Sequence, residues 1–288
     1  MSGADVSGTD DASYCAQLVR DHDFERYAAT LFMPPRARRP VLALYAFNTE
    51  LRRIRDHISQ PLPGEIRLQW WRDLVDGDAR GSVEANPVAA ELMAAVANHD
   101  LPRNELSRLV DARVFDLYDD PMLSLDMLER YCDDTAGRLF NLSARILGGT
   151  SEAVAHAANH AGIAQGIVRA IEGLPRYAAR RQLYLPQDVL NEASVREADI
   201  FAGRPSLQLQ AAIRVLAEVA RSHLDKVTDL LIAVPADARQ VFLPLALVRR
   251  SLAPADMAAQ NPFALVQQSR LRMLWTMWRA TKSEEFRG

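Results

Sequence analysis

Two stretches of this 288-residue chain carry polar side chains where a helix would bury apolar ones. The first runs from Arg36 to Asp56, where Tyr45, Asn48, Thr49, Arg52 and Asp56 recur at three and four positions and so share one helical face. That face begins aromatic and turns polar. It reads either as a solvated edge on which Arg52 pairs with Asp56, or as the wall of a polar cavity inside a helical bundle. The second stretch runs from Gln165 to Pro186, with Arg169 and Glu172 at i, i+3, then Arg176, Arg180, Arg181 and Tyr184. Planar guanidinium forks bind phosphate oxygens bidentately, so Arg169 with Arg176, Arg180 and Arg181 could form an anion site. A solvated, charge-rich loop is the competing reading of the same residues.

Other groupings carry less. Asp116 and Asp120 stand at i, i+4 and could imitate a metal pair, but Pro121 follows and a solvated helix end explains them. Asp133 and Asp134 read as surface or pairing groups. His156 and His160 share a helical face without the glutamate of a zincin motif, and packing or a helix surface accounts for them. No Gly-rich phosphate loop and no Gly-x-Ser-x-Gly elbow occurs, which removes nucleotide-binding and hydrolase readings. Cys15 and Cys132 are too few and too far apart for a disulfide scaffold or a structural zinc site. A net charge of −3 argues against a nucleic-acid surface.

These side chains need helices to hold them. Apolar residues recur at three and four positions nearly throughout and alternation is missing, so the chain is expected to be all-α. The spacing predicts a helix from Pro34-Pro35 to about Ile58, ended by Pro61-Leu-Pro63-Gly64, and another from Gly64 to Val75. Ser124 should cap a helix reaching Gly148-Gly149, and Ser151 the next, to about Glu172. Gly173 to Pro186 should be irregular. Pro205 should open a helix to about Ala233, Asp237 should cap one to Leu252, and a last helix should cover Phe263 to about Ala280. Residues 1–13 read as a disordered tip before a single domain, 14–288. No run approaches the roughly 20 apolar residues of a membrane span, and neither a secretory nor a transit pattern opens the chain. A cytoplasmic location is expected.

Several runs fall in a familiar order: Phe24-Glu-Arg-Tyr27, Leu31-Phe-Met-Pro34-Pro35, Ala43-Leu-Tyr45-Ala-Phe47, Trp70-Trp71-Arg72, Tyr131-Cys132 with Ala136-Gly137, and Tyr184-Leu-Pro186. In these the chain resembles squalene and phytoene synthases. The resemblance implies an isoprenoid-synthase-like helical bundle around a central cavity, joining two allylic prenyl diphosphates head to head with Mg²⁺ held by two aspartate-rich helices. At the first aspartate motif this chain has Arg52, Arg53, Ile54, Arg55 and Asp56, so one acid remains. At the second it has Gly173 and Tyr177, with Pro175 between and Glu172 one position off. Two arginines in place of two acids would repel a divalent cation.

The runs Leu18-Val-Arg20-Asp-His-Asp-Phe24, Ala46-Phe-Asn48-Thr-Glu50-Leu51, His160-Ala-Gly-Ile-Ala-Gln165 and Arg180-Arg181-Gln-Leu-Tyr184 narrow the similarity to the phytoene-synthase-like assembly factors of respiratory complex I. That resemblance implies a non-catalytic protein acting in NADH dehydrogenase assembly or in prenyl or lipid handling. It implies no cofactor and no bound metal. A respiratory complex I subunit, a prenyl diphosphate or a lipid would be the partner, with Arg52, Arg53, Arg169, Arg176 and Arg181 binding its diphosphate or headgroup and Tyr45, Asn48, Thr49, Gln165 and Tyr184 lining the cavity. The alternative is an active prenyltransferase using Mg²⁺, Asp56, Glu172 and a borrowed acid such as Asp134. Near the C-terminus Leu271, Leu274, Trp275 and Trp278 form a stripe flanked by Arg272, Arg279 and Lys282. It reads either as core or as peripheral contact with the inner membrane, where indoles sit at the headgroup level.

Overall fold

In a computed structural model, residues 4–78, 83–253, 261–264 and 269–286 are described, and among them there is no strand. Sixteen α-helices lie among the described residues. They are α1 (Ala4–His22), α2 (Phe24–Thr30), α3 (Pro35–Arg53), α4 (Pro61–Asp76), α5 (Pro87–His99) and α6 (Arg103–Ala112), then α7 (Leu125–Cys132), α8 (Arg138–Ile146), α9 (Glu152–Glu172) and α10 (Leu174–Ala179). The remainder are α11 (Gln187–Glu192), α12 (Glu197–Phe201), α13 (Leu207–Leu231), α14 (Ala236–Arg239), α15 (Leu245–Ser251) and α16 (Arg270–Ala280).

Side-chain caps set the long helices. The Ser151 hydroxyl accepts from the Val154 amide at 3.4 Å to start α9, and Ser206 does the same for the Leu209 amide at 3.1 Å to start α13. These two helices lie against each other, α3 packs on α1 and α5, and one buried core runs from Cys15 to Phe286. Two glycines let helices approach closely. A Cβ on Gly162 would collide with the backbone of Gly137, and one on Gly166 with the Cys132 sulfur, so α9 meets the π turn Asp133–Gly137 backbone to backbone at Gly162 and takes the Cys132 side chain against its own backbone at Gly166.

Several boundaries differ from the expectation, each for a local reason. Pro61 and Pro63 do not end a helix; they sit in the first turn of α4, where a missing N–H costs nothing. The helix predicted from Ser124 is interrupted by a π turn, Asp133–Gly137. The segment after Gly173 forms α10, because Pro175 falls in its first turn. Asp237 lies inside α14 and pairs with Arg36 at 2.8 Å; Pro244 separates that turn from α15, so no single helix reaches Leu252. At Phe263 the Asn261 side chain accepts from the amide at 3.0 Å in a turn, and the described helix begins at Arg270; residues 265–268 of the predicted helix lie outside the described residues. The segment read as a disordered tip is helical from Ala4, continuing the α1 register that buries Cys15, Leu18 and Val19.

Candidate functional site: an arginine-lined cavity

The end of α3, the 3₁₀ turn Ile54–His57, α10 and the irregular stretch before α11 line a cavity of about 180 Å³. Six arginines line it, Arg52, Arg53, Arg55, Arg113, Arg176 and Arg180, against two aspartates, Asp56 and Asp116. Thr49, Tyr131, Tyr177, Gln182 and Tyr184 add polar and aromatic wall. The volume is below the roughly 300–1,000 Å³ of sites that enclose drug-sized ligands. Its excess of guanidinium over carboxylate suits a compact anion.

The floor is a buried network. Asp116 is 8% exposed; it accepts from the Tyr131 hydroxyl at 2.6 Å and the Tyr184 hydroxyl at 2.7 Å on one oxygen, and from Arg113 at 3.0 Å on the other. Arg113, 7% exposed, also donates to the Asn48 side-chain oxygen at 2.9 Å. Burial works against the Arg113 charge, but Tyr131 and Asp116 outweigh it and raise its pKa. Burial pushes both tyrosines well above their ordinary value, so they stay neutral donors. Two donors remain unpartnered at this floor, the Asn48 amide nitrogen and Arg113 Nε.

A second network holds the wall from behind. Asp23 accepts from Arg26 at 2.9 Å, from Arg52 at 3.1 Å and from Arg169 at 3.4 Å. Burial raises the Asp23 pKa, yet Arg169, Arg26 and Arg52 overcome this and hold the carboxyl well below the usual range. Arg52 is thereby fixed at the cavity edge. Gln165 belongs to this layer: its oxygen accepts from Arg26 at 2.7 Å and its nitrogen donates to Glu25 at 2.6 Å.

The structure therefore sorts the residues singled out in the sequence. Arg52, Arg53, Arg176, Asp56, Thr49 and Tyr184 meet at the cavity. Asn48 and Gln165 lie buried behind it, as does Tyr45, beneath the Arg26 guanidinium at 5.7 Å. Arg169 is spent on Asp23 and on Glu25, 3.2 Å away. Arg181 turns away. α10 ends in a Schellman arrangement, with the Gln182 amide donating to the Tyr177 carbonyl at 3.0 Å and Arg181 left-handed at φ 57°, which sends its side chain over the Phe201 ring. Arg180 takes the wall position instead and pairs with Asp56 at 2.6 Å. Glu172 accepts from the Ser251 hydroxyl at 2.6 Å and does not line the cavity.

Asp116 is the residue that sequence reading missed: it is no solvated helix end. Arg113 three residues before it was the only local signal; the convergence of Tyr131 and Tyr184 is tertiary. Asp133 and Asp134 do pair, with Arg138 at 2.7 Å and Arg108 at 2.9 Å. His160 meets His223, Nδ1 to Nδ1, at 2.9 Å rather than His156. Among the described residues no three His, Cys, Asp or Glu side chains converge closely enough to share a metal ion.

Residues 19–279 match the squalene/phytoene synthase family. The chain is 34% identical over 230 residues to a mouse (Mus musculus) NADH dehydrogenase (ubiquinone) complex I, assembly factor 6, covering 80% of this chain and 69% of that one. The human (Homo sapiens) counterpart is 34% identical over 242 residues, covering 84% and 72%. In fold the chain is similar to squalene synthase HpnC from Alicyclobacillus acidocaldarius, with a TM-score of 0.74 at 22% identity over 86% of this chain and 94% of that one.

Proposed function

Because the chain belongs to the squalene/phytoene synthase family and has assembly-factor relatives, we propose that it acts in assembly of respiratory NADH dehydrogenase without Mg²⁺-dependent prenyl transfer. The observation that carries this reading is the cavity wall: arginines stand where the resemblance calls for paired aspartates. Asp56 is neutralised by Arg180 at 2.6 Å, and Glu172 is engaged by Ser251 outside the cavity. Such a donor set does not fit Mg²⁺, which takes carboxylate oxygens near octahedral geometry. The wall suits the opposite partner. Five of its arginines keep carboxylate partners, Arg52 with Asp23, Arg53 with Glu50, Arg55 with Asp119, Arg113 with Asp116 and Arg180 with Asp56, and Arg176 lies against the Tyr177 ring. Arg176 and the guanidinium N–H groups that these pairs leave over hold the phosphate or diphosphate head of a prenyl or lipid molecule directly, while the apolar tail lies outside a space too small for it.

The test pairs two measurements. Purified protein given farnesyl diphosphate, Mg²⁺ and NADPH is expected to release no pyrophosphate above a metal-free control, and a deletion strain is expected to lose assembled complex I. Mg²⁺-dependent release with a condensed hydrocarbon product would establish the prenyltransferase instead. Wild-type complex I levels in the deletion strain would remove the assembly role.

A further inference from the structure

The α16 helix has two apolar faces and the fold uses only one. Met277 is fully buried against Ala28, Ala29 and Leu247, with Met273 and Leu274 beside it. The end of the chain is pinned separately, by Arg249 holding both oxygens of Glu285 at 2.5 and 2.6 Å and by buried Phe286. The opposite face carries Leu271, Trp275 and Trp278, which are 78%, 55% and 50% exposed. They stand at i, i+4 and i+7, a strip that with Lys282 is about 16 Å long. Nothing in the packing of α16 requires them. The core reading of this stripe therefore fails for Leu271, Trp275 and Trp278 and holds in part for Leu274.

Charge points to the occupant. From Ser269 to Lys282 the chain has Arg270, Arg272, Arg279 and Lys282 and no acid, although its net charge is −3; the acids resume only at Glu284. Arg279 lies over the Trp275 ring at 4.9 Å and Lys282 over Trp278 at 5.8 Å, so each indole has a cation beside it. No helix among the described residues is long and apolar enough to cross a membrane. Exposed indoles with neighbouring cations match the interfacial layer, in which rings sit among headgroups and cations meet lipid phosphates.

We infer that the outer face of α16 docks the protein on an anionic lipid surface, with Leu271, Trp275 and Trp278 entering the headgroup layer and Arg272, Arg279 and Lys282 meeting phosphates. This rests on α16 alone and is independent of the cavity reading.

Full-length protein sedimented with phosphatidylcholine vesicles, and with vesicles in which phosphatidylglycerol replaces a third of the lipid, tests it. Partition is expected to be about tenfold stronger or more on the anionic vesicles and to weaken with salt. Trp275→Ala/Trp278→Ala should lower it about tenfold or more. Arg272→Glu/Arg279→Glu, which changes only exposed charge and so guards against a folding artefact, should lower it about a hundredfold. Wild-type protein that ignores anionic vesicles, or binds both kinds equally, overturns the inference, as does a folded double-tryptophan variant that binds like wild type. If that variant instead converts a dimer to a monomer in sedimentation velocity while vesicle binding is absent, the face belongs to a second copy of the chain.

Discussion

Replacing Asp116 by Asn keeps its shape and removes its charge, and the network around it fixes what that should cost. Three donors converge on two carboxylate oxygens: two tyrosine hydroxyls on one, Arg113 on the other. An asparagine oxygen can still serve the tyrosines, but its NH₂ group then faces the Arg113 guanidinium, donor against donor. Arg113 is left 93% buried, its charge held only by neutral partners, while its Nε already lacks one. Removing one member of a buried ion pair costs about 3–5 kcal/mol. For a chain of this size that is a fall in melting temperature on the order of 5–8 °C. Urea unfolding gives the free energy directly. Adding Arg113→Gln should recover part of the loss, with a coupling of about 2 kcal/mol between the two positions, because the stranded cation is gone. An Asp116→Asn loss below about 1 kcal/mol, or strict additivity of the two substitutions, would refute the claim that these groups act as one buried unit.

Three further outcomes follow from named contacts. Gly162→Ala places a methyl against the Gly137 backbone, which cannot yield as a side chain can, and should cost about 3 kcal/mol or more in urea unfolding; Gly148→Ala, with open space around it but positive φ, should cost only about 1 kcal/mol. Burial, with His160 and then Lys226, pushes His223 down from 6.5 to about 4, so between these values the unfolded chain holds more protons than the folded one. Stability should therefore be lost as pH falls through that window, by at most roughly 3 kcal/mol, and a His223→Asn variant whose pH profile keeps the full wild-type slope would contradict this. Pyrophosphate should raise the melting temperature of the wild-type protein; Arg180→Gln should weaken that effect severalfold and Arg181→Gln should leave it intact, since only the first lines the cavity.

What the sequence determined was local. Periodicity at three and four positions made the chain helical, serine caps set the starts of α7, α9 and α13, and the prolines at 34–35 opened α3. The family was also legible, because its motifs are short runs of neighbours. Which charges share a space was set by packing between distant helices. Arg180 and Arg181 are adjacent and chemically identical, yet a left-handed residue at the end of α10 sends one to the cavity and the other to Phe201. Arg169 is withdrawn from the cavity by Asp23, 146 positions away, which no local pattern signals. Asp116 looked solvated because its partners Tyr131 and Tyr184 are 15 and 68 positions distant. A turn or a cap is fixed by contacts a few residues apart, whereas the environment of a charge depends on helices brought together by the core. The stripe on α16 shows the same limit from the other side, since its period reveals an apolar face and only packing reveals that the face is uncovered.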